Sequence, residues 1–196
     1  MSEVELPNPE ELRALKAEAF GKHIALVTAA FAAVLALAAM GGNHATKEML
    51  LAQQRASDQW AFYQAKSIRE HESLVHQQLL ELELSTRGAS LTPEARRRME
   101  AAAGALAGDA QHYHEQKTEI EREAKALEQE RDRFRAKDPY FEYAEALLQI
   151  AIVMASISIV ADSFPVFIVS LVMALTGAFL TLDGYTLLVA LPFIGG

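Results

Sequence analysis

The sequence predicts an all-α membrane protein with about three transmembrane helices. A long antiparallel coiled-coil hairpin is inserted between the first and the second. Three observations predict this. All 18 Lys and Arg residues lie at or before Lys137, and the last 59 residues have none. Three stretches, 23–42, 143–161 and 164–182, are apolar over close to the ~20 residues a helix needs to cross a ~30 Å hydrocarbon core. The charged stretch between the first two keeps a heptad spacing of large residues. A single soluble core would mix charged and apolar positions along every helix instead of separating them along the chain.

The tail, residues 1–22, precedes the first span, whose heart reads ALVTAAFAAVLALAAM. Five Glu stand against three basic residues before that span. This balance and length do not suit the basic leader of a secretory signal, so the span is expected to stay as a membrane helix. Asp162, Ser163 and Pro165 separate the second and third spans. Ser163 is placed to cap the third helix, and Pro165 falls where a first turn tolerates proline. Asp183-Gly184 reads as a stop signal. The apolar segment after it, 185–196, is too short to cross on its own.

The extramembrane segment, 43–142, is expected to fold as a hairpin with its turn at about 86–93. From Met99 one row runs Met99, Leu106, Tyr113, Ile120, Leu127, Phe134 and Phe141. An offset row runs Ala103, Ala110, Lys117, Ala124, Arg131 and Asp138. One large and one small seam position suit an antiparallel partner in close approach. That partner is expected at about 46–84, through Ala56, Trp60, Tyr63, Leu74 and Leu84. A second row on that arm, Ala61, Ala65, Ile68, Val75, Leu79 and Leu82, widens the face and points to self-association. Gly88 is placed to end the first arm, and Thr92, Pro93 and Glu94 to start the second. Gly104 and Gly108, inside the second arm, mark either a soft joint or a close helix approach.

Between Gly42 and Tyr143 there are 15 Lys/Arg against 18 Asp/Glu, so this body is nearly neutral and offers no basic patch for nucleic acid. Arg131, Arg133, Arg135 and Lys137 crowd the approach to the second span. By the positive-inside rule they put the hairpin in the cytoplasm. Arg13, Lys16 and Lys22 pull mildly the other way.

The runs ASDQWAFYQAKSIREH (56–71) and RAKDPYFEYAEALLQIAIVMASISIV (135–160) resemble the bacterial domain-of-unknown-function family numbered 4337. The first apolar span and the charged helical middle fit the same layout. The resemblance implies a membrane location, and the bacterial inner (cytoplasmic) membrane is the one expected. It brings no activity and no catalytic or binding residue.

No catalytic, cofactor-binding or metal-ligating set is expected, and the chain is read as a non-enzyme. Cysteine is absent, which removes disulfides and thiolate chemistry. His112 and His114 are two apart and so point to different helix faces. No phosphate loop, nucleophile elbow or zinc motif occurs. The expected role is a self-associating structural or interaction protein in the lipid bilayer, with the hairpin available to a protein partner. The alternative is a homo-oligomeric channel or transport component. There Asp162 would form an acidic ring at the tight turn, with Gln149 and Ser156 along the path. Ser170, Ala174, Gly177 and Thr181 form a small-residue stripe expected at a helix contact. Tyr140, Phe141 and Tyr143 are expected as an interfacial aromatic belt.

Overall fold

The computed structural model describes residues 9–189, with side chains from Glu18 onward. The first part of the tail, and the apolar C-terminal segment from residue 190, lie outside the described residues. All regular structure among the described residues is helical: α1 (Pro9–Arg87), a 3-10 turn (Gly88–Ser90), α2 (Pro93–Arg135), α3 (Asp138–Val160) and α4 (Phe164–Thr186). Three of these helical stretches are long and apolar enough to cross a membrane. At about 1.5 Å per residue, α4 alone reaches roughly 35 Å. The chain divides into two units, Met1–Glu48 with Arg133–Gly196, and Met49–Asp132.

The first unit joins the early part of α1 to α3 and α4. Ile24, Phe31, Ala38 and Ala45 are buried at a repeat of seven along α1. From α3 come Ala144, Leu148, Ala151, Ala155 and Ser158, and from α4 Ser170, Ala174, Gly177 and Thr181. Small residues along both α3 and α4 let the backbones approach closely. A Cβ added at Gly177 would lie 2.8 Å from Leu148 Cγ and 3.1 Å from the Ala144 carbonyl. Ser170 Oγ donates to the Ala151 carbonyl at 2.7 Å, a bond between the two helices.

α1 continues through Gly41-Gly42-Asn43 without a break, and the two glycines leave room for the Phe141 ring. Gly184 of α4 lies against the same ring, and Tyr185 packs edge-on at 5.1 Å. Tyr140 and Phe141 are therefore buried within helix packing rather than set in an interfacial belt, while Tyr143 is exposed. α4 runs through Asp183-Gly184 to Thr186. It ends at Leu187 in the left-handed region (φ 50°), whose N–H donates to the Asp183 carbonyl.

The helical run is interrupted at 136–137, between α2 and α3, although the heptad rows continue past it. Pro139 is the cause. It lacks an N–H and its ring would clash with the Arg135 carbonyl, so the chain turns and restarts with proline in the first turn. Thr46 Oγ1 donates to Asp138 Oδ1 at 2.9 Å beside that restart.

In the second unit, Thr92 caps α2 by accepting from the Ala95 N–H at 3.2 Å. Gly88 has no positive φ and sits in the 3-10 turn, so α1 ends without a left-handed glycine. At the start of α4, Ser163 takes the cap position with extended backbone, but its hydroxyl makes no capping bond. The turn before it is made by Asp162 in the left-handed region (φ 44°), which aspartate tolerates better than most residues.

Candidate interaction site

In the second unit several polar side chains of α1 bond to side chains of α2. Gln53 Oε1 accepts from Arg131 at 2.9 Å. Gln59 and Trp60 donate to Glu123 and Glu128 at 3.1 and 3.0 Å. Glu70 accepts from Lys117 Nζ at 2.5 Å and lies 2.9 Å from His114 Nδ1. As the number rises along α1 its partner's falls along α2, so the two stretches run antiparallel. Lys66 lies over the Tyr113 ring and Lys117 over the Tyr63 ring, at 5.4 and 5.7 Å from the centroids. Such contacts combine cation–π attraction with burial of the lysine stems.

The predicted row on α2, namely Met99, Leu106, Tyr113, Ile120, Leu127 and Phe134, is half-buried throughout. Ala103, Ala110 and Ala124 of the offset row are buried. Trp60 and Tyr63 are half-buried on α1, their rings edge-to-face at 5.4 Å. Leu74 is exposed, and its neighbour Ser73 is buried instead. The inward positions on this arm include Ala52, Ala56, Tyr63, Glu70, Ser73, Gln77 and Leu84.

The electrostatic centre of the unit is Glu70 with Lys117. The side chains are only 15% and 18% exposed. The Lys117 hydrogen bond holds the Glu70 carboxyl below the usual glutamate value, against a smaller opposing effect of burial, and His114 adds to the lowering. Lys117 is raised by the same bond, again with burial opposing. Glu70 follows Tyr63 by seven residues, and that spacing was the available sign of its inward position. A charged residue on a heptad row is usually assigned to solvent, so the sign was weak.

Asp162 is exposed at the turn, and Gln149 and Ser156 are exposed on α3. Ser156 Oγ donates within its own helix to the Ile152 carbonyl. Gln149 and Ser156 stand two turns apart on one face of α3, and Asp162 lies in the turn beyond its end. The acid that is buried is Asp183, only 3% exposed. Its Oδ1 accepts from the Val189 N–H at 3.0 Å, and its Oδ2 has no partner among the described residues. The sequence marked Asp183 only as a stop. Its place three residues after Leu180, on the packed side of α4, was the missed signal. Gly104 and Gly108 have open space where a Cβ would stand, so they do not mark a close approach. No group of three potential metal-ligating His, Asp or Glu residues occurs among the described residues.

Comparison with known proteins gives one match. The family model described as "Domain of unknown function (DUF4337)" covers residues 20–187. No curated protein and no solved structure matches the chain.

Proposed function

The chain belongs to this domain-of-unknown-function family, and on that premise we propose that it is a self-associating membrane scaffold with no enzymatic role. Three helices anchor it in a bilayer, the bacterial inner membrane in this reading. The 49–132 unit is an antiparallel coiled-coil hairpin on the cytoplasmic side, offered to other protein. One observation carries the proposal: large apolar side chains of the charged body, Phe62, Ile68, Leu79 and Leu82 among them, are more than half exposed. Contiguous apolar surface on a water-exposed body marks an interaction site. Gln149 adds support from the membrane part, because a polar side chain turned outward at that depth calls for a neighbouring protein or water.

The alternative role is a homo-oligomeric channel or transport component. It is favoured by the outward placement of Asp162, Gln149 and Ser156, where a second copy could meet them. It ranks second because Ser156 is already satisfied within its helix.

The test is copy number. Full-length protein reconstituted in nanodiscs, one preparation with an excess of empty discs, is weighed by mass photometry. The scaffold reading expects two or more copies per particle, persisting on dilution into empty discs. One copy per disc refutes it. Ion flux across proteoliposomes that is abolished by Asp162→Asn would favour the channel.

A further inference from the structure

We infer that the outward face of α3 is an interface for the same face of a second copy, the two helices running parallel and joined at Gln149. This rests on the self-associating membrane reading above and names its surface and register. Ala146, Gln149, Val153, Ser156 and Val160 follow one another at alternating steps of three and four. All five are exposed, Val153 at 57% and Val160 at 90%. They lie on the side of α3 opposite Ala144, Leu148, Ala151, Ala155 and Ser158, which are buried inside one copy.

Gln149 singles this face out. It lies about 9 Å of helix inside the start of the apolar stretch 143–161. Its amide makes no hydrogen bond among the described residues. Ser156 and Thr176, also exposed in apolar stretches, donate to carbonyls of their own helices at 3.0 and 2.9 Å. Gln149 has no such outlet, and an unpaired amide facing hydrocarbon is costly. The exposed face of α4 is different. Val169, Val172, Leu175, Phe179 and Leu182 are bulky and apolar, as a face turned to lipid requires.

Symmetry identifies the occupant. A two-fold axis along the bilayer normal holds two copies of α3 parallel and at equal depth, so each position of the row meets its own equivalent. A carboxamide carries both donor and acceptor. Two Gln149 side chains across the axis therefore satisfy one another, each donating to the other's oxygen. No charged residue stands in the row from 146 to 160. Ala146 and Ser156 are small and let the backbones come close on either side of Gln149. Alternating steps of three and four keep a single seam along a parallel pair. Glu142, one turn before Ala146, is exposed where the apolar stretch begins, so water screens its two copies from each other. Glu145 turns toward Gly42 of its own copy, away from the seam.

The absence of cysteine makes the test clean. Full-length Ala146→Cys and Val153→Cys proteins, oxidised in proteoliposomes at a low protein-to-lipid ratio, are each expected to form a disulfide with their own equivalent. Leu175→Cys, at a position 62% exposed on α4, is expected to form none. Gln149→Leu should weaken association about tenfold on dilution with empty nanodiscs. Gln149→Asn keeps a carboxamide and should weaken it less. All of these positions are exposed, so the variants keep the packing within one copy. Disulfides as abundant at Leu175→Cys as on the row, or association unchanged in Gln149→Leu, overturn the interface. An oligomer whose row cysteines stay reduced overturns it too but leaves self-association standing. Reaction of those cysteines with a membrane-impermeant thiol reagent would then put water, not a second α3, on the row. A monomer overturns both readings.

Discussion

Gly177→Ala tests the close packing of α3 on α4. The new methyl would sit 2.8 Å from Leu148 Cγ and 3.1 Å from the Ala144 carbonyl oxygen, with Leu147 Cβ at 3.4 Å. Neither of the first two is the loose end of a side chain, so the helices must part by several tenths of an ångström. A gap of 0.5–1 Å forfeits about a quarter to a half of each contact's dispersion energy along the seam. Overpacking of this kind costs about 1–3 kcal/mol. Alanine returns about 1 kcal/mol through helix propensity.

Gly21→Ala is the control in the same unit. Its methyl would meet only Ile159 Cγ2, at 3.8 Å, which is ordinary contact. It collects the propensity gain without the clash. The two variants should therefore differ by about 1–3 kcal/mol, or roughly 2–12 °C in Tm. Thermal unfolding of the full-length protein in one detergent, followed by circular dichroism, measures this. If Gly177→Ala melts with or above Gly21→Ala, α3 and α4 are not in the close contact argued here.

The Glu70–Lys117 pair makes the 49–132 unit pH-sensitive at both ends. Glu70 is lowered, so its contribution is present above the usual glutamate value of 4.5 and is lost as pH falls through the folded value. Lys117 is raised, so its contribution is present below the usual 10.5 and is lost as pH rises through the folded value. Glu70→Gln should lower stability at pH 7 by about 1–3 kcal/mol and flatten the acid limb, as followed by emission of the single tryptophan, Trp60. An acid limb as steep as that of the parent would remove Glu70 from the account. Gly104→Ala and Gly108→Ala meet open space and should each stabilise by about 0.5–1 kcal/mol; a loss in the same melt would mean that close packing covers them. Asp183→Asn keeps an acceptor for the Val189 N–H and puts an NH2 in place of the unpartnered Oδ2. One unpartnered polar atom replaces another, so stability should hold to within about 1 kcal/mol, and a marked drop in Tm would show that Oδ2 accepts a hydrogen bond.

The helical class and the three apolar stretches were legible because both depend on composition and period, which a sequence displays directly. The break before α3 was also written there, in Pro139, but the unbroken heptad rows through Phe134 and Phe141 argued for continuity. Where the two signals disagreed, the proline's missing N–H decided. Tyr140 and Phe141 carried the composition of an interfacial belt, yet three glycines far apart in the chain, Gly41, Gly42 and Gly184, make a recess for Phe141. No local pattern announces such a recess. On α2 the large residues of the row are half-buried and Ala103, Ala110 and Ala124 of the offset row are buried. The α1 side did not fully follow, since its more apolar row faces outward while Glu70 and Ser73 turn in. Periodicity identifies a face but not which of two faces a neighbour will take. Glu70 and Lys117, 47 residues apart, meet only once the arms are folded together.

The most direct test of the scaffold account is the mass of the full-length protein in nanodiscs, measured before and after dilution with empty discs. The account predicts particles holding two or more copies of the 21.5 kDa chain. A single copy at every protein-to-lipid ratio would contradict it.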